Sequence, residues 1–213
     1  MHRSVAVLDS VTGRAGQAVQ SEGRVTEPFR LIRAALDAAG IEREAVGRIA
    51  IGLGPGSYTG IRNAIAIAQG WQFAAGVGTV GLSSVAALAA GLHAAGRRGR
   101  FRLVVDAQRG EFHESSWRLD DRGAVETTPL RISRPDAIRE SLRPDEVLVG
   151  PDAQRLAVTG ELPGGGGEQR FPAADDLARI AVEVSAGVPA EALEPIYLRE
   201  VAFAKAPPSR TLP

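Results

Sequence analysis

The sequence of 213 residues contains no cysteine. This absence excludes disulfides, thiolate nucleophiles and thiolate metal ligands, and it is compatible with a reducing compartment. The sequence also has no excess of charge of either sign, because 25 lysines and arginines balance 25 aspartates and glutamates. Without a global basic field, we do not expect tight nonspecific binding of nucleic acid by this chain alone.

Long hydrophobic runs are absent as well. The most apolar stretch, residues 61–80, is interrupted by one arginine, one asparagine, two glutamines and three glycines, so it does not resemble a segment that spans a bilayer. The short apolar run at residues 5–8 predicts a strand rather than a signal peptide. We therefore expect a cytoplasmic protein that makes no membrane contact.

The first half of the sequence alternates strand-like and helix-like segments, and this order predicts an α/β fold. Thr26 is placed to cap the first helix, Gly40 to stop it, and Ser83 to cap the third. The segment 16–20 is a candidate partner for the first strand. The predicted strands are 5–8, 16–20, 48–53 and 79–82, and the predicted helices are 27–39, 61–75 and 84–92.

A small, glycine-bearing and basic segment at residues 94–100 predicts a boundary between two lobes, 1–96 and 97–213. In the second lobe, Arg109 and Gly110 turn two strands into a hairpin. The predicted elements there are strands at 101–106, 111–119 and 147–149, helices at 135–142 and 175–186, a flexible glycine loop at 164–167 and a frayed tail from about residue 206.

Residues 54–60, with the sequence GPGSYTG, join a predicted strand to a predicted helix. Loop glycines and the free N–H groups of a following helix can bind an anion. The P-loop pattern, however, requires a lysine after its last glycine, where this sequence has Ile61, and the third glycine of a dinucleotide-binding fingerprint is missing too. The residues therefore favour a tight turn, capped by Ser57 or Thr59, over a phosphate site. The residues of this structural loop are Gly54, Pro55, Gly56, Ser57, Thr59 and Gly60.

The helix predicted at residues 61–75 contains no aspartate, glutamate or lysine. Its apolar residues form two adjacent stripes, which exceed the single apolar face of an ordinary surface helix. Either the helix lies in the middle of one core, or its remaining face meets a partner. Small, neutral polar and aromatic residues with one arginine suit an interface, so we favour the partner. The residues of this predicted interface are Arg62, Asn63, Ala66, Gln69, Gly70 and Phe73.

Four separated blocks of the sequence resemble the bacterial TsaB (YeaZ) family. The longest block, GLGPGSYTGIRNAIAIAQGWQFAAGVGTVGLSSVAALA, follows the family pattern G-x-G-P-G-S-[FY]-T-G-[LIV]-R and its later V-G-[VL]-S-S segment. The shorter blocks, in the family's order, are VVDAQRGEFH, FPAADDLARIA and EPIYLRE. The region before the first helix departs from the family, because its hairpin is short and the family's histidine is absent there. We therefore expect a trimmed edge of the first lobe.

The resemblance implies a two-lobe fold of the actin/hexokinase/Hsp70 (ASKHA) type, with mixed sheets flanked by helices. It also implies a non-catalytic partner subunit of TsaD, in the complex that makes threonylcarbamoyladenosine at position thirty-seven of tRNAs that read ANN codons. TsaE, a P-loop ATPase, joins that complex, so ATP and metal are expected in the partner subunits and tRNA through the complex. The family's contact with TsaD corresponds here to the helices at 27–39 and 61–75.

No catalytic, cofactor-binding or metal-binding residue is predicted in this chain. Asp9 and Asp106 stand where nucleotide-binding enzymes of this fold carry an aspartate, but both lack the accompanying glycine pattern, and lone carboxylates at strand ends are more often turn caps. His2, His93 and His113 have no metal-ligand spacing, and His113 is expected to be a half-exposed sheet residue. Two other hypotheses stay open: a self-sufficient actin-fold ATPase or kinase that uses the two aspartates, and a homodimer through the same helix when TsaD is missing.

Overall fold

The computed structural model describes residues 3–8, 15–20, 27–157 and 166–199. Within these ranges it has nine β-strands, six α-helices and two short 3₁₀ turns, at Arg43–Ala45 and Ala190–Ala192. Strands and helices alternate through the first half and a mixed five-stranded sheet occupies the second, so the architecture is α/β. No helix in the described part of the chain is long and apolar enough to cross a membrane.

The chain begins with an antiparallel hairpin of strands β1 (Arg3–Leu8) and β2 (Ala15–Gln20), which is the pairing expected from the sequence. Helix α1 (Pro28–Ala39) packs on this hairpin. Its close approach depends on Gly16, because a Cβ atom there would lie only 2.2 Å from the carbonyl oxygen of Ala35. The glycine therefore lets the helix backbone reach the strand.

A parallel pair of strands follows, β3 (Arg48–Gly52) and β4 (Gly78–Leu82). Helix α3 (Ser84–Ala94) leaves the end of β4, and Ser83 takes its N-cap position as predicted. The Ser83 hydroxyl makes no capping bond, and within the described structure it has no hydrogen-bond partner. Ser83 therefore marks the start of the helix by its extended backbone rather than by a side-chain cap.

Helix α2 (Tyr58–Ala75) connects β3 to β4 and begins earlier than residue 61, where the sequence placed its start. Ser57 is the N-cap, and its hydroxyl accepts a hydrogen bond from the Gly60 backbone N–H. Because the cap falls at Ser57, Thr59 and Gly60 belong to the first helical turn and not to the loop before it. Gly76 ends the helix in the left-handed conformation.

The second half is built on a five-stranded sheet with the strand order β7-β6-β5-β8-β9. Strand β5 pairs antiparallel with β6 and parallel with β8, so the sheet is mixed. The strands are β5 (Gly99–Asp106), β6 (Phe112–Asp120), β7 (Gly123–Ser133), β8 (Glu146–Gly150) and β9 (Glu168–Gln169), and the helices are α4 (Pro135–Ser141), α5 (Ala153–Ala157) and α6 (Ala174–Glu183).

Strand β7 and helix α5 were not predicted from the sequence. Strand β7 contains Pro129, which argues against a central strand, but β7 lies at the edge of the sheet, where proline is tolerated. Its register with β6 also shifts on both sides of Ser116, which breaks a simple alternating pattern. Helix α5 is only five residues long, too short to show helical periodicity.

Three clusters of buried hydrophobic side chains pack the helices and strands against one another. The first joins Leu88 of α3 to Phe101 of β5 on one face of the large sheet. The second lies on the opposite face and includes Ile138 of α4 and Leu156 of α5. The third packs α2 and β3 against the turn Ala190–Ala192, so a segment from the end of the described chain completes the core of the first half.

The lobe boundary near residue 96 stays a prediction, and several described contacts cross it. Helix α6 packs on β1 and α3. The backbone N–H of Val188 donates to the carbonyl of Thr79 at 2.8 Å, and that of Ile196 donates to the carbonyl of Leu53 at 2.9 Å. The chain therefore returns to its first half after building the large sheet.

Some sequence predictions concern residues outside the described ranges. The first part of the glycine loop at 164–167 and the tail from about residue 206 are among them. Thr26 also lies outside, and the N-cap of α1 is Glu27, whose side chain makes no capping bond. The prediction of Thr26 as the cap is therefore wrong by one residue, because Pro28 starts the helix directly after Glu27.

Candidate protein-interaction surface

The loop before α2 is held by backbone hydrogen bonds to neighbouring elements. The N–H of Leu53 donates to the carbonyl of Leu82, and the carbonyl of Gly54 accepts from the N–H of Ser84, both at 2.8 Å. Gly54 has a φ of +108°, and a Cβ atom there would lie 3.1 Å from the Ile61 side chain. The glycine is therefore required for a close turn that fixes where α2 begins.

One stripe of α2 faces the core. Ile65 and Ala68 are buried in the third hydrophobic cluster. Gln72 lies on the same stripe, and its side chain accepts from the N–H of Ala190 at 2.7 Å and donates to the carbonyl of Val77 at 3.2 Å. These contacts fix the rotation of the helix, so the residues that face outward are determined.

The six residues of the predicted interface all lie on the exposed side of α2. Phe73 is 95% exposed, which is unusual for a large aromatic side chain. Arg62 is the one charged residue between Tyr58 and Ala75. The alternative that α2 lies in the middle of a single core is therefore wrong for this chain, because its outer face is open to water. These exposed residues are Arg62, Asn63, Ala66, Gln69, Gly70 and Phe73.

Gln69 differs from the other five residues of the predicted interface, because its side chain makes a hydrogen bond within the chain. Its Nε2 donates to the carbonyl of Ala190 at 3.2 Å. The side chain therefore helps to hold the turn Ala190–Ala192 against α2, and it marks the border between the inner and outer faces of the helix.

Arg62 belongs to a small cluster with two tyrosines. Its Nε donates to the Tyr197 hydroxyl at 3.1 Å, and its guanidinium carbon lies 4.3 Å from the centre of the Tyr58 ring. The hydrogen bond that Arg62 donates to the Tyr197 hydroxyl raises the pKa of Arg62. Both rings are more than half exposed, so the cluster presents at the start of α2 a cation that lies over the Tyr58 ring and is hydrogen-bonded to the Tyr197 hydroxyl.

The tyrosines of this cluster were not predicted as site residues. Tyr58 belongs to the GPGSYTG loop and Tyr197 to the EPIYLRE block, and both blocks carried the family resemblance. The sequence could not show that they meet, because Arg62 and Tyr197 are 135 positions apart.

The segment 195–199 connects this cluster to the β5–β6 turn. Arg199 donates to the carbonyl of Ala107 at 3.2 Å and to the Glu111 carboxylate at 2.7 Å. The same segment bonds to Leu53 through the N–H of Ile196. It therefore ties the start of the interface helix to the second-half hairpin.

Asp106, a residue required by the ATPase hypothesis, is already paired. Its Oδ1 accepts from the N–H of Gln108 at 2.8 Å, which makes a turn cap, and its Oδ2 accepts from Arg155 at 2.7 Å. The Asp106 carboxylate therefore both caps a turn and forms an ion pair. Asp9, the other residue of that hypothesis, lies outside the described ranges.

The described histidines do not form a metal site, and within the described ranges no group of three potential ligands comes together. His93 hydrogen-bonds the carbonyl of Asp120 at 2.9 Å, which is a structural contact. His113 lies in β6 and is half-buried, close to the sequence expectation. His2 lies outside the described ranges.

Comparison with known proteins adds to this geometry. Residues 27–122 match the family of TsaD, tRNA N6-adenosine threonylcarbamoyltransferase. The tRNA threonylcarbamoyladenosine biosynthesis protein TsaB of Escherichia coli (strain K12) is 28% identical over 226 aligned positions, which cover 95% of this chain and 98% of the relative.

Two solved structures have the same architecture. YeaZ of Pseudomonas aeruginosa has a TM-score of 0.77 at 27% identity and covers 92% of this chain and 94% of its own. A second structure, of a protein described by its similarity to the peptidase YeaZ of Pseudomonas aeruginosa, has a TM-score of 0.80 at 28% identity and covers 93% and 94%. The predicted actin-like fold, with a mixed sheet flanked by helices, is thereby confirmed, and this chain is similar to TsaB and YeaZ proteins in both sequence and fold.

Proposed function

We propose that this chain is a non-catalytic subunit that binds a TsaD-like protein in the complex that makes threonylcarbamoyladenosine at position thirty-seven of tRNAs that read ANN codons. The observation that carries the proposal is the outer face of α2. It exposes Phe73 almost completely and contains one charged residue, Arg62, in an 18-residue helix. A solvated helix face normally alternates charges, whereas aromatic, small and arginine side chains are enriched at interfaces.

The similarity to Escherichia coli TsaB supports the pathway, because that relative's name assigns it to threonylcarbamoyladenosine biosynthesis. The fixed Arg62–Tyr58–Tyr197 cluster supports an interface role for the start of α2. Arginine and tyrosine are frequent hot-spot residues, and the ordering of Arg62 reduces the entropy that binding would otherwise remove.

The proposal also assigns the remaining parts of the reaction. ATP and metal would be bound by the partner subunits, a TsaE-like P-loop ATPase would join the complex, and tRNA would be contacted through it in the cytoplasm. The geometry does not favour the ATPase or kinase alternative, because the Asp106 carboxylate is paired with Arg155. A homodimer through α2 in the absence of TsaD stays a prediction.

Co-purification of the chain with the TsaD-like subunit of its own organism tests the proposal. We expect a one-to-one complex for the unchanged chain and, for Ala66→Glu, at least about a hundredfold weaker binding, since a buried unpaired charge disfavours an interface by about 3 kcal/mol or more. Ala137→Glu is the matched control, because Ala137 is an exposed alanine on α4 in the second half. Binding of the unchanged chain that Ala66→Glu does not weaken would refute the α2 interface.

The non-catalytic assignment needs a separate measurement. We expect no Mg-ATP binding by the isolated chain in calorimetry, and modification activity only when the TsaD-like and TsaE-like subunits are added. Submicromolar Mg-ATP binding would support the ATPase alternative instead. Light scattering of the chain with and without its partner would show whether one surface also serves a homodimer.

A further inference from the structure

In the β5–β6 turn, residues 107–111, two consecutive residues other than glycine adopt the left-handed conformation. They are Gln108, with a φ of 64°, and Arg109, with a φ of 57°, and Gly110 follows with a φ of 76°. Everywhere else in the described part of the chain, a positive φ belongs to a glycine. A side chain makes this conformation unfavourable, and strained backbone of this kind is concentrated at functional sites. The presence of side chains at these two positions therefore requires an explanation.

The side chain at the first position is explained within the turn. Asp106 accepts from the backbone N–H of Gln108 at 2.8 Å and from its Nε2 at 3.3 Å, so Gln108 closes the turn onto the end of β5. Arg155 of α5 also donates to the Asp106 carboxylate, at 2.7 Å. Arg199 donates to the carbonyl of Ala107 at 3.2 Å. The turn is therefore fixed by contacts from two other parts of the chain.

The side chain at the second position, Arg109, has no such explanation. It is exposed and makes no hydrogen bond or ion pair with any residue that the structure describes. The other two arginines at the turn differ from it, because Arg155 is paired with Asp106 and Arg199 with Glu111. Arg109 is thus an unpaired guanidinium, and no contact within the described chain accounts for its strained position.

The turn adjoins the start of the predicted interface helix. Ala107 of the turn and Tyr58 of α2 line the same cavity. One segment of the chain also contacts both elements, because Tyr197 accepts a hydrogen bond from Arg62 while Arg199 bonds to the turn. A protein that covers the start of the outer face of α2 would therefore lie close to the turn.

The surroundings of Arg109 indicate which chemical group it can bind. A guanidinium binds carboxylates and phosphates through paired hydrogen bonds. A nucleic-acid backbone is bound by several cations together, and here the two neighbouring arginines are already paired with carboxylates of this chain. A single unpaired guanidinium on a fixed turn instead suits one acidic side chain of a protein, and arginine is a frequent hot-spot residue at interfaces.

We propose that Arg109 is a second contact for the TsaD-like subunit, at which its guanidinium pairs with a carboxylate of that subunit. The interface then extends from α2 in the first half of the chain to the large sheet in the second. The turn holds the backbone of Arg109 in position before binding, which reduces the entropy that binding would otherwise remove. This contact rests on the proposed function, since it requires the same partner.

Isothermal titration of the full chain with its TsaD-like subunit tests the contact. Arg109→Gln removes the charge, and we expect the affinity to fall about tenfold and to depend less steeply on salt concentration. Arg122→Gln is the matched control, because Arg122 is an exposed arginine in the hairpin turn at the opposite end of β6. We expect this control to change the affinity less than about twofold.

A glycine at the same position distinguishes a partner contact from a structural role. Arg109→Gly removes the charge and also relieves the left-handed strain. We expect its thermal midpoint of unfolding to rise while its affinity falls as in Arg109→Gln. A lower midpoint would show that the arginine stabilises the turn, and this result would overturn the proposal.

Equal affinities of Arg109→Gln and Arg122→Gln would also overturn it. If Ala66→Glu weakens binding in the same series, the α2 interface stands and only the contact at Arg109 fails, whereas no binding by the unchanged chain refutes both. Full affinity of Arg109→Gln for the TsaD-like subunit, with weaker binding of tRNA by the complex, would overturn the proposal as well, because Arg109 would then contact a phosphate.

Discussion

Helix α2 and the five-stranded sheet distribute charge in opposite ways. The outer face of α2 meets water with a single charged side chain, Arg62. The interior of the sheet holds Arg102, Glu114 and Glu146, each of which is 6% exposed or less. Surfaces usually carry charge and cores usually exclude it, so both regions depart from the ordinary pattern in opposite directions.

The two regions differ in whether contacts within the chain account for the unusual distribution of charge. Such contacts account for the buried charges of the sheet but not for the outer face of α2. Arg102 donates to both oxygens of Glu146 at 3.0 Å and also pairs with Glu114. Glu114 accepts further bonds from Arg131 and Ser133. The buried charges are therefore satisfied by neighbours on β5, β6, β7 and β8. The exposed face of α2, with its single charge and its exposed Phe73, has no comparable internal explanation, and a partner subunit is the explanation that we propose.

The largest expected effect comes from removing the central cation of the buried cluster. Arg102→Met leaves Glu146 without its bidentate partner, and breaking a buried pair in this way typically costs about 3–5 kcal/mol in the free energy of unfolding. Chemical denaturation measures the loss. Arg118→Met is the matched control, because Arg118 pairs with Asp120 at an exposed site of β6 and should cost about 1 kcal/mol or less. Equal losses in the two variants would show that the buried cluster is not a structural centre.

A smaller effect, with a defined pH dependence, is expected at Glu114. Burial alone would raise its pKa, but hydrogen bonds from Ser133, Arg102 and Arg131 outweigh burial and lower it. A carboxyl whose folded pKa is depressed stabilises the fold above its unfolded pKa, about 4.3, and this contribution disappears as pH falls through the folded pKa. We expect Glu114→Gln to cost about 1.5–3 kcal/mol at neutral pH, the range for hydrogen bonds to charged groups.

The pH dependence is measured as a difference between the unchanged chain and Glu114→Gln. This difference isolates Glu114 from other carboxyls, such as Asp176, whose pKa is raised by burial and by Asp175 and which therefore acts in the opposite direction. We expect the difference in unfolding free energy to shrink as pH falls below about 4. A difference that stays constant down to about pH 2 would show that the charge of Glu114 does not contribute.

On the α2 side of the comparison, Phe73→Ala should weaken binding of the TsaD-like subunit by about tenfold, or about 1.4 kcal/mol, without changing stability. The reason is that Phe73 is 95% exposed in the isolated chain and contributes little to its core. Isothermal titration measures the affinity. Val125→Ala, at a half-exposed apolar residue of β7, is the control and should leave the affinity unchanged. A loss of stability in Phe73→Ala would contradict the view that this ring faces a partner.

The features of the fold that depend on residues close together in the sequence could be predicted from it. The positions of α1, α2, α3, α4 and α6 followed from apolar spacing, caps and glycine stops, which act over a few residues. The missing charge on α2 was visible directly in the sequence. The start of α2 was placed late, because Ser57, Thr59 and Gly60 are all compatible with a turn until the cap is known.

Contacts between residues that are far apart in the sequence could not be predicted in the same way. The buried partners Arg102 and Glu146 are 44 positions apart, and Arg62 and Tyr197 are 135 positions apart. Pairs of this kind depend on sheet order and on the return of the chain to its first half, neither of which has a local signal. The sequence of β5 does not indicate that Arg102 is buried, since an exposed and a buried arginine cannot be distinguished from the sequence alone.

The smallest effect is expected on α1, the second helix that the family resemblance assigned to the TsaD contact. Its exposed face carries Phe29 but also the ion pair of Arg33 and Asp37, whose side chains are 85% and 71% exposed. A charged, solvated face of this kind resembles the polar rim of an interface, where truncation costs little. We expect the double variant Arg33→Ala, Asp37→Ala to change affinity less than about threefold in the titration used for Phe73→Ala, since exposed pairs contribute about 0–1 kcal/mol. A tenfold loss would instead place α1 in the centre of the interface and would remove the contrast between α2, which carries a single charge, and the more highly charged α1.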